Sequence, residues 1–381
     1  PPSGFLALCT ANLPDPVATI DPAKGGSPQN YFDTVLYTSA SSNGTYTHGD
    51  LSFQPDWSWI KCRNVNERHF LADVVRGNTS ITDKWLVSNS TVAEGVNSTS
   101  GTTFSVTSTG YQFIESSIDN DELYYNNRNY VGWNWKAGTS FSNDASSTSV
   151  GNTDSSGSVS ADTGFSIIKW TGVADGSTRN IAHGLGAVPK MIIVKNRERA
   201  VNWAVYHEGI GNTKALHLDT TSAAVTDASG WWASTTPTST VFTTGHGSAY
   251  RTGGGNVTED FIAYCFAEVD GYSKINSYTG NGNADGTFVY TGFRPAFIQL
   301  KRTDSTSNWN IRDSKRDPHN VTAQYLLADT SDAEGATSSN LIDFTSNGFK
   351  IRGTGSATNT DGGTYIYMAF AEQPFKYANA R

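Results

Sequence analysis

A chain of 381 residues, 37% hydrophobic, 16% charged and 12% aromatic, has room for two or three compact units of roughly 100–200 residues each. Its formal charge of −8, with 27 basic side chains scattered along the chain, excludes the phosphate-neutralising footprint of a nucleic-acid binder. No apolar run approaches the roughly 18 residues of a membrane span, and no secretion-signal pattern occurs, so a soluble chain with neither nucleic acid nor membrane insertion among its partners is expected. The 37 glycines, abundant Ser and Thr, and many rings point to an all-β protein rich in turns.

Taken in chain order, residues 1–31 open with PPSGFLALCTANLPDP and no methionine, and read as an extended N-terminal connector cut from a longer parent or left by processing. FDTVLYT (32–38) and PDWSWIKCR (55–63) alternate as strands, and TFSVTSTGYQFI (103–114) reads as a hairpin around Ser-Thr-Gly, with small residues where positive φ is needed. YVGWNWKA (130–137) is a further aromatic strand. Residues 138–164, GTSFSNDASSTSVGNTDSSGSVSADTG, have the composition of an exposed linker. Strands follow at FSIIKWTG (165–172), PKMIIVKNR (189–197), FIAYCFAE (261–268), YSKINSYTG (272–280), PAFIQLKRT (295–303) and YIYMAFAE (365–372). A second hairpin is expected at IDFTSNGFKIRG (342–353), and a short helical turn near 323–335.

These runs fall into register with one another. With Lys61, Lys195 and Lys301 as origins, a proline stands six residues before each (Pro55, Pro189, Pro295). Eight residues after come His69, Trp203 and Trp309; twelve after come Asp73, His207 and Asp313. An opening strand precedes each proline and an aromatic strand closes each copy about seventy residues on. Landmarks in one order, three times over, predict an internal triplication: β-sandwich (jelly-roll-like) repeats at 32–137, 165–270 and 271–381, the last with a C-terminal tail, and little helix.

The recurring lysine invites a functional reading as an acid/base or anion site with the Asp or His twelve residues on. Alternation favours another reading, in which the face opposite lysine turns to the core and the ammonium ends the strand in water. On that reading a Lys→Met change leaves binding intact. The histidines 183, 207, 217 and 246 form no metal-ligand spacing, and His183 reads as a turn residue. The acidic runs IDNDE (118–122) and TSDAE (330–334) are loop-like; the first has oxygen ligands for calcium but lacks the glycine and terminal glutamate of an EF-hand loop. No catalytic residue, cofactor or metal ion is expected. Cys9, Cys62 and Cys265 make neither a disulfide framework nor a metal pair, and Cys62 and Cys265 read as small buried hydrophobes. The rings chosen as ligand-binding candidates are Trp231, Trp232, Tyr124 and Tyr125, because they lie outside the matched positions and beside amide-rich turns.

FLALCTANLPDP, FDTVLYT with FQPDWSWIK, GFSIIKWTG with AHGLGAVPKMIIVK, NWAVYH, FIAYCFAE, YSKINSYTGNG, GFRPAFIQLKRTD and AFAEQPFKYANAR resemble, over nearly the whole chain, a family of uncharacterised bacteriophage and marine-virus proteins. In that family the region commonly follows a SPRY-like or lectin-like domain. The resemblance implies a virion or tail-fibre component without established catalytic residues. The first copy departs from the pattern with TSASSNGTYTHGD after its opening strand and His69 where the others have Asn-Trp. The expectation is therefore a non-enzymatic fibre, spike or decoration protein, made in the host bacterial cytoplasm and carried in the virion. Its expected partners are other virion proteins, further copies of itself and host-surface glycan. A polysaccharide-degrading enzyme and a pure scaffold are the competing readings.

Overall fold

In the computed structural model, residues 13, 15–77, 84–96, 102–115, 124, 126–226, 230–245, 249–253 and 257–378 are described. The period-two runs become strands of antiparallel sheets, and the protein is all-β. In the first segment the order across the sheet is Phe32–Thr38, Asn129–Trp135, Trp57–Cys62, His69–Asp73. The second contains the same run, Phe165–Thr171, Asp260–Phe266, Met191–Asn196, Ala204–His207, and the third begins Ser273–Thr279, Thr364–Pro374, Phe293–Arg302, Asn310–Asp313. In each, the closing strand slots between the opening strand and the lysine strand. The register repeats as well: Lys61, Lys195 and Lys301 stand opposite Val131, Ile262 and Ile366.

A smaller sheet covers one face of each large sheet. Its strands are Gly44–Gly49, Gly110–Glu115 and Thr102–Thr107 in the first segment, Arg179–Ala182 and Val241–Thr244 in the second, and Phe288–Tyr290, Gly348–Ile351 and Ile342–Thr345 in the third. Each pair of sheets encloses a private core, with Ile60 in the first, Ile192 and Val194 in the second, and Ile298 and Leu300 in the third. The other faces of the large sheets meet in one shared core holding Trp57, Trp59, Trp133, Trp135, Phe165, Met191, Ile193, Phe297 and Phe370. Rings cross the boundaries: Trp57 stacks on Tyr264 at 4.4 Å between centroids, Phe32 lies 5.6 Å from Phe297, and Phe266 lies 6.0 Å from Phe370. The large sheets are thus buried on both faces, and the assignment of the core to the face opposite lysine was half of the answer.

Both expected hairpins form, Thr102–Thr107 with Gly110–Glu115 and Ile342–Thr345 with Gly348–Ile351. Gly110 has φ +154. The reason for Gly348 is different: a Cβ there would sit 2.0 Å from the Val289 carbonyl oxygen of the neighbouring strand, so close approach and not positive φ demands glycine.

Two expectations are corrected. Residues 138–164 are not a free linker, for Thr139–Asn143 and Ser155–Ser160 pair with each other, and the latter pairs with Phe165–Thr171, extending the second sheet. Backbone groups satisfy an open sheet edge whatever the side chains are, so Ser- and Gly-rich sequence was no bar. The stretch 323–335 carries the strand Gln324–Leu327 and no helix; main-chain pairing with Asn310–Asp313 holds it extended. Helix is confined, among the described residues, to the four-residue turns Ala145–Thr148 and Ala249–Thr252 and short 3-10 turns. Cys62 and Cys265 are buried free thiols; Cys9 lies outside the described residues.

Candidate functional site

The recurring lysines do not end in water. Lys61, Lys195 and Lys301 are fully buried, and each reaches across a segment boundary to a main-chain carbonyl. Lys61 Nζ donates to Ser331 O at 3.1 Å, Lys195 Nζ to Thr91 O at 2.8 Å and Lys301 Nζ to Thr221 O at 2.9 Å. Further bonds go to carbonyls of the same segment, Cys62 O at 2.8 Å, Val201 O at 2.6 Å and Ser307 O. The first segment therefore grips the third, the second grips the first and the third grips the second, a closed ring of contacts. An ammonium needs several acceptors to offset burial, and main-chain carbonyls on loops supply them here; Thr221 O also accepts from Ser307 N at 2.8 Å. Burial pulls Lys195 and Lys301 down to about 8.

The residue eight places on belongs to the same lock. His69 Nε2 donates to Leu327 O at 2.9 Å, Trp203 Nε1 to Val87 O at 2.9 Å and Trp309 Nε1 to His217 O at 2.8 Å. Trp59 Nε1 donates to His69 Nδ1 at 2.9 Å, which fixes His69 as the neutral Nε2–H tautomer. The position twelve on is also buried: Tyr264 Oη donates to Asp73 at 2.7 Å, Trp133 Nε1 to Asp313 at 2.9 Å, and His207 Nε2 to Tyr367 O at 3.2 Å.

Burial holds His69 well below, and His207 at about 4 against, the ordinary histidine value of 6.5. Lys61 and Arg316 push His69 further down, while around His207 Glu268 raises and Lys190 lowers it more weakly. Unfolding exposes both rings to protonation below that ordinary value, so their contribution is complete above pH 6.5 and is lost as the pH falls toward 4. Each histidine removes up to about 1.4 kcal/mol per pH unit in that window. Urea midpoints measured at pH 7, 6 and 5 are expected to fall steadily; a flat profile would refute the assignment.

Two of the boundaries add an ion network that the sequence reading missed. Arg63 makes a two-pronged contact with Glu334 at 2.9 Å, and Arg316 joins Glu334 at 3.0 Å and Asp313 at 2.5 Å. In the same way Arg197 bonds Glu94 at 2.7 Å, and Arg76 bonds Glu94 at 3.1 Å and Asp73 at 2.5 Å. The signal was available: Arg76 and Arg316 both stand fifteen residues, and Glu94 and Glu334 both thirty-three, after their lysines. The acidic run 330–334 is thus partly structural, through Glu334; the run 118–122 lies outside the described residues.

Between the second and third segments no such network occurs among the described residues. Thr303 replaces the arginine two places after lysine, and Ile210 the arginine fifteen after. Ala224 N donates to Thr303 O at 2.9 Å, as Glu94 N does to Arg197 O and Glu334 N to Arg63 O, each at 2.7 Å, which puts Ala224 in the place of the glutamates. A cleft of about 390 Å³ opens there, lined by Ile210, Ala224, Thr303, Ser277, Thr279, Thr364, Lys214 and Asp304 among others. A related cleft of about 420 Å³ lies on the second segment, between the added hairpin and the sheet, lined by Asn143, Asp144, Asp154, Ser155, Lys169, Thr171, Arg197 and Asp260 among others. The two are equivalent in register: Lys169 and Ser277 both pair through the closing-strand isoleucine that faces the lysine, and Asp260 and Thr364 end those strands.

The carboxylates of the larger cleft are occupied with its walls. Asp144 accepts from Ser146 N and Ser147 N at 3.0 Å, Asp154 from Ala145 N at 2.8 Å, and Asp260 from Thr171 Oγ1 at 2.7 Å. Hydrogen bonding by Ser146 holds Asp144 below the usual carboxylate range, the opposite of what a general acid requires. Among the described residues no group of three or more His, Cys, Asp and Glu side chains converges as a metal site. The chemistry on offer is hydrogen bonding to a polar ligand.

The four aromatic candidates are placed otherwise than expected. Trp231 and Trp232 are 3% and 2% exposed and belong to the second private core; Trp231 lies under Arg251 at 5.1 Å and Trp232 Nε1 donates to Lys214 O at 3.1 Å. Tyr124 is 1% exposed, bonded to His48 Nε2 at 2.8 Å and stacked on Phe113 at 4.6 Å. Tyr125 lies outside the described residues. Three rings expected on the surface are therefore core, because a large ring with one polar atom is cheap to bury once that atom or its edge finds a neighbour. The rings that do stand in solvent are Phe288 and Tyr290, at 45% and 57% exposure, two residues apart on an edge strand. His183 is buried and bonds Thr238 O at 3.1 Å, so it is a core residue; His246 lies outside the described residues.

Three all-β segments closed about one core, with a polar cleft on the second segment and another at its boundary with the third, define the class of protein. The chain belongs to the family described as a domain of unknown function, DUF7483, which matches residues 27–374. No curated protein matches it. No helix among the described residues is long and apolar enough to cross a membrane.

Proposed function

We propose that this chain is a non-enzymatic structural protein of a bacteriophage virion, a fibre, spike or capsid-decoration component that adheres to host-surface glycan. The observation that carries the reading is the closed ring of buried Lys–carbonyl bonds, which makes one rigid body of three segments and leaves polar clefts on its outside. Weak contacts on one rigid body add as avidity, because each later contact is made at high effective concentration. Phe288 and Tyr290 add flat apolar faces of the kind that stack on sugar rings. Other virion proteins and further copies of the chain are the partners such a component requires, and it is made in the host cytoplasm before assembly.

The competing reading, a polysaccharide-degrading enzyme, needs a protonated carboxyl beside a second free carboxylate. The bonds already made by Asp144, Asp154 and Asp260 speak against it. Two measurements test the proposal. Peptide mapping of purified particles of the encoding virus is expected to find the chain in fixed stoichiometry, and its absence from particles would end the virion assignment. Incubation with bacterial surface polysaccharide is expected to bind without releasing reducing ends; steady release would favour the enzyme.

A further inference from the structure

We infer that the cleft between the second and third segments, where threonine and alanine stand in place of an ion pair, is a binding site for a neutral sugar unit. The inference rests on the glycan-adhesion reading and adds the location and the chemical class of the ligand.

The three boundaries are built on the same frame, with the same Lys–carbonyl bond and the same main-chain bond at the network position. Where Arg63 meets Glu334 and where Arg197 meets Glu94, ion pairs at 2.9 and 2.7 Å stand beside that frame. At the remaining boundary Thr303 and Ala224 stand in those places and both line the cleft. The cleft there measures about 390 Å³, within the roughly 300–1,000 Å³ range of ligand pockets, and its lining at these two places is uncharged.

The lining fits a neutral polyol better than an ion. Hydroxyls come from Ser277, Thr279, Thr303 and Thr364. Asp304 is already paired with Arg302 at 2.8 Å and held below the usual carboxylate range by that bond, which leaves Lys214 as an exposed basic residue of the lining. Ile210, half-buried, supplies apolar surface beside the hydroxyls. A pyranose presents that combination in reverse, a C–H face with a rim of hydroxyls, so apolar wall and hydroxyl wall are both matched. The related cleft on the second segment differs in just this respect, since Arg197 and three aspartates line it.

The test restores the missing pair. The full-length chain and its double variant Thr303→Arg with Ala224→Glu are titrated against a panel of neutral oligosaccharides (glucose, galactose, mannose and N-acetylglucosamine types) and of uronate- and sialate-containing ones. The parent is expected to bind a neutral member, and the double variant to bind it at least tenfold more weakly while melting no lower than the parent. Should the double variant fail to fold, Ser277→Trp, a substitution at an exposed strand position on the rim, is expected to give the same tenfold loss. Equal binding by parent and folded variants would overturn the site while leaving adhesion standing. Preference for the acidic sugars would overturn the neutral assignment. No binding to any panel member would overturn the inference together with the adhesion reading.

Discussion

Replacing Lys195 with methionine is expected to lower the unfolding free energy by about 2–4 kcal/mol, since it strands buried carbonyl groups whose unmet hydrogen bonds cost roughly 1–3 kcal/mol each. Methionine copies the stem of lysine but not its donors. Thr91 O and Val201 O, at 2.8 and 2.6 Å from Nζ, would face each other across a segment boundary with nothing between them. The same change at Lys301 removes the bond to Thr221 O, and at Lys61 the bond to Ser331 O. Lys190 serves as the control: it is 28% exposed and pairs with Glu208 and Glu268, and its replacement is expected to cost at most about 1 kcal/mol. Urea unfolding of the three buried-lysine variants beside the control decides the matter, and similar losses at Lys190 and Lys195 would remove the boundary lock from the explanation. From the alternation alone the opposite result is expected, with Lys→Met tolerated.

The second large effect is Asp73→Ala, expected to cost about 3–5 kcal/mol because it takes from a buried guanidinium its fully buried counter-charge. Asp73 is fully buried and accepts from Arg76 Nε at 2.5 Å, from Arg76 N at 2.9 Å and from Tyr264 Oη at 2.7 Å. Arg76, equally buried, would keep only Glu94 as an acidic partner. Asp313→Ala should behave alike, for Arg316 and Trp133 lean on it in the same way. An exposed pair provides the contrast: Arg199, 53% exposed and joined to Glu259, is expected to be worth at most about 1 kcal/mol. Chemical denaturation of the three variants measures this, and a loss at Asp73 no larger than at Arg199 would contradict the assignment of the network as a buried lock.

Some of this was legible beforehand and some was not, and the division follows the range of the physics. Strand runs such as PDWSWIKCR and the hairpins at 103–114 and 342–353 could be read directly, because period-two alternation and turn residues act over a few positions. The common offsets of lysine, Trp or His, and Asp or His were equally plain, and extending them to fifteen and thirty-three positions would have reached the Arg–Glu network. The ligand-binding candidates fared otherwise. Trp231, Trp232 and Tyr124 were chosen for lying outside the matched positions, yet lack of a counterpart in the other copies says nothing about exposure, and these rings fill gaps peculiar to their own segments.

By itself, then, the sequence determined an all-β chain, the positions of its strands and hairpins, and the recurrence of one pattern along it. Tertiary structure alone decided that residues 139–160 complete a sheet edge, that both faces of the large sheets are covered, that the lysines are buried, and that a cleft opens beside Thr303. The reason is that the partners of those lysines are main-chain carbonyls, Thr91 O, Thr221 O and Ser331 O. Every residue carries such an oxygen, so no side-chain pattern marks the three that the fold brings within reach.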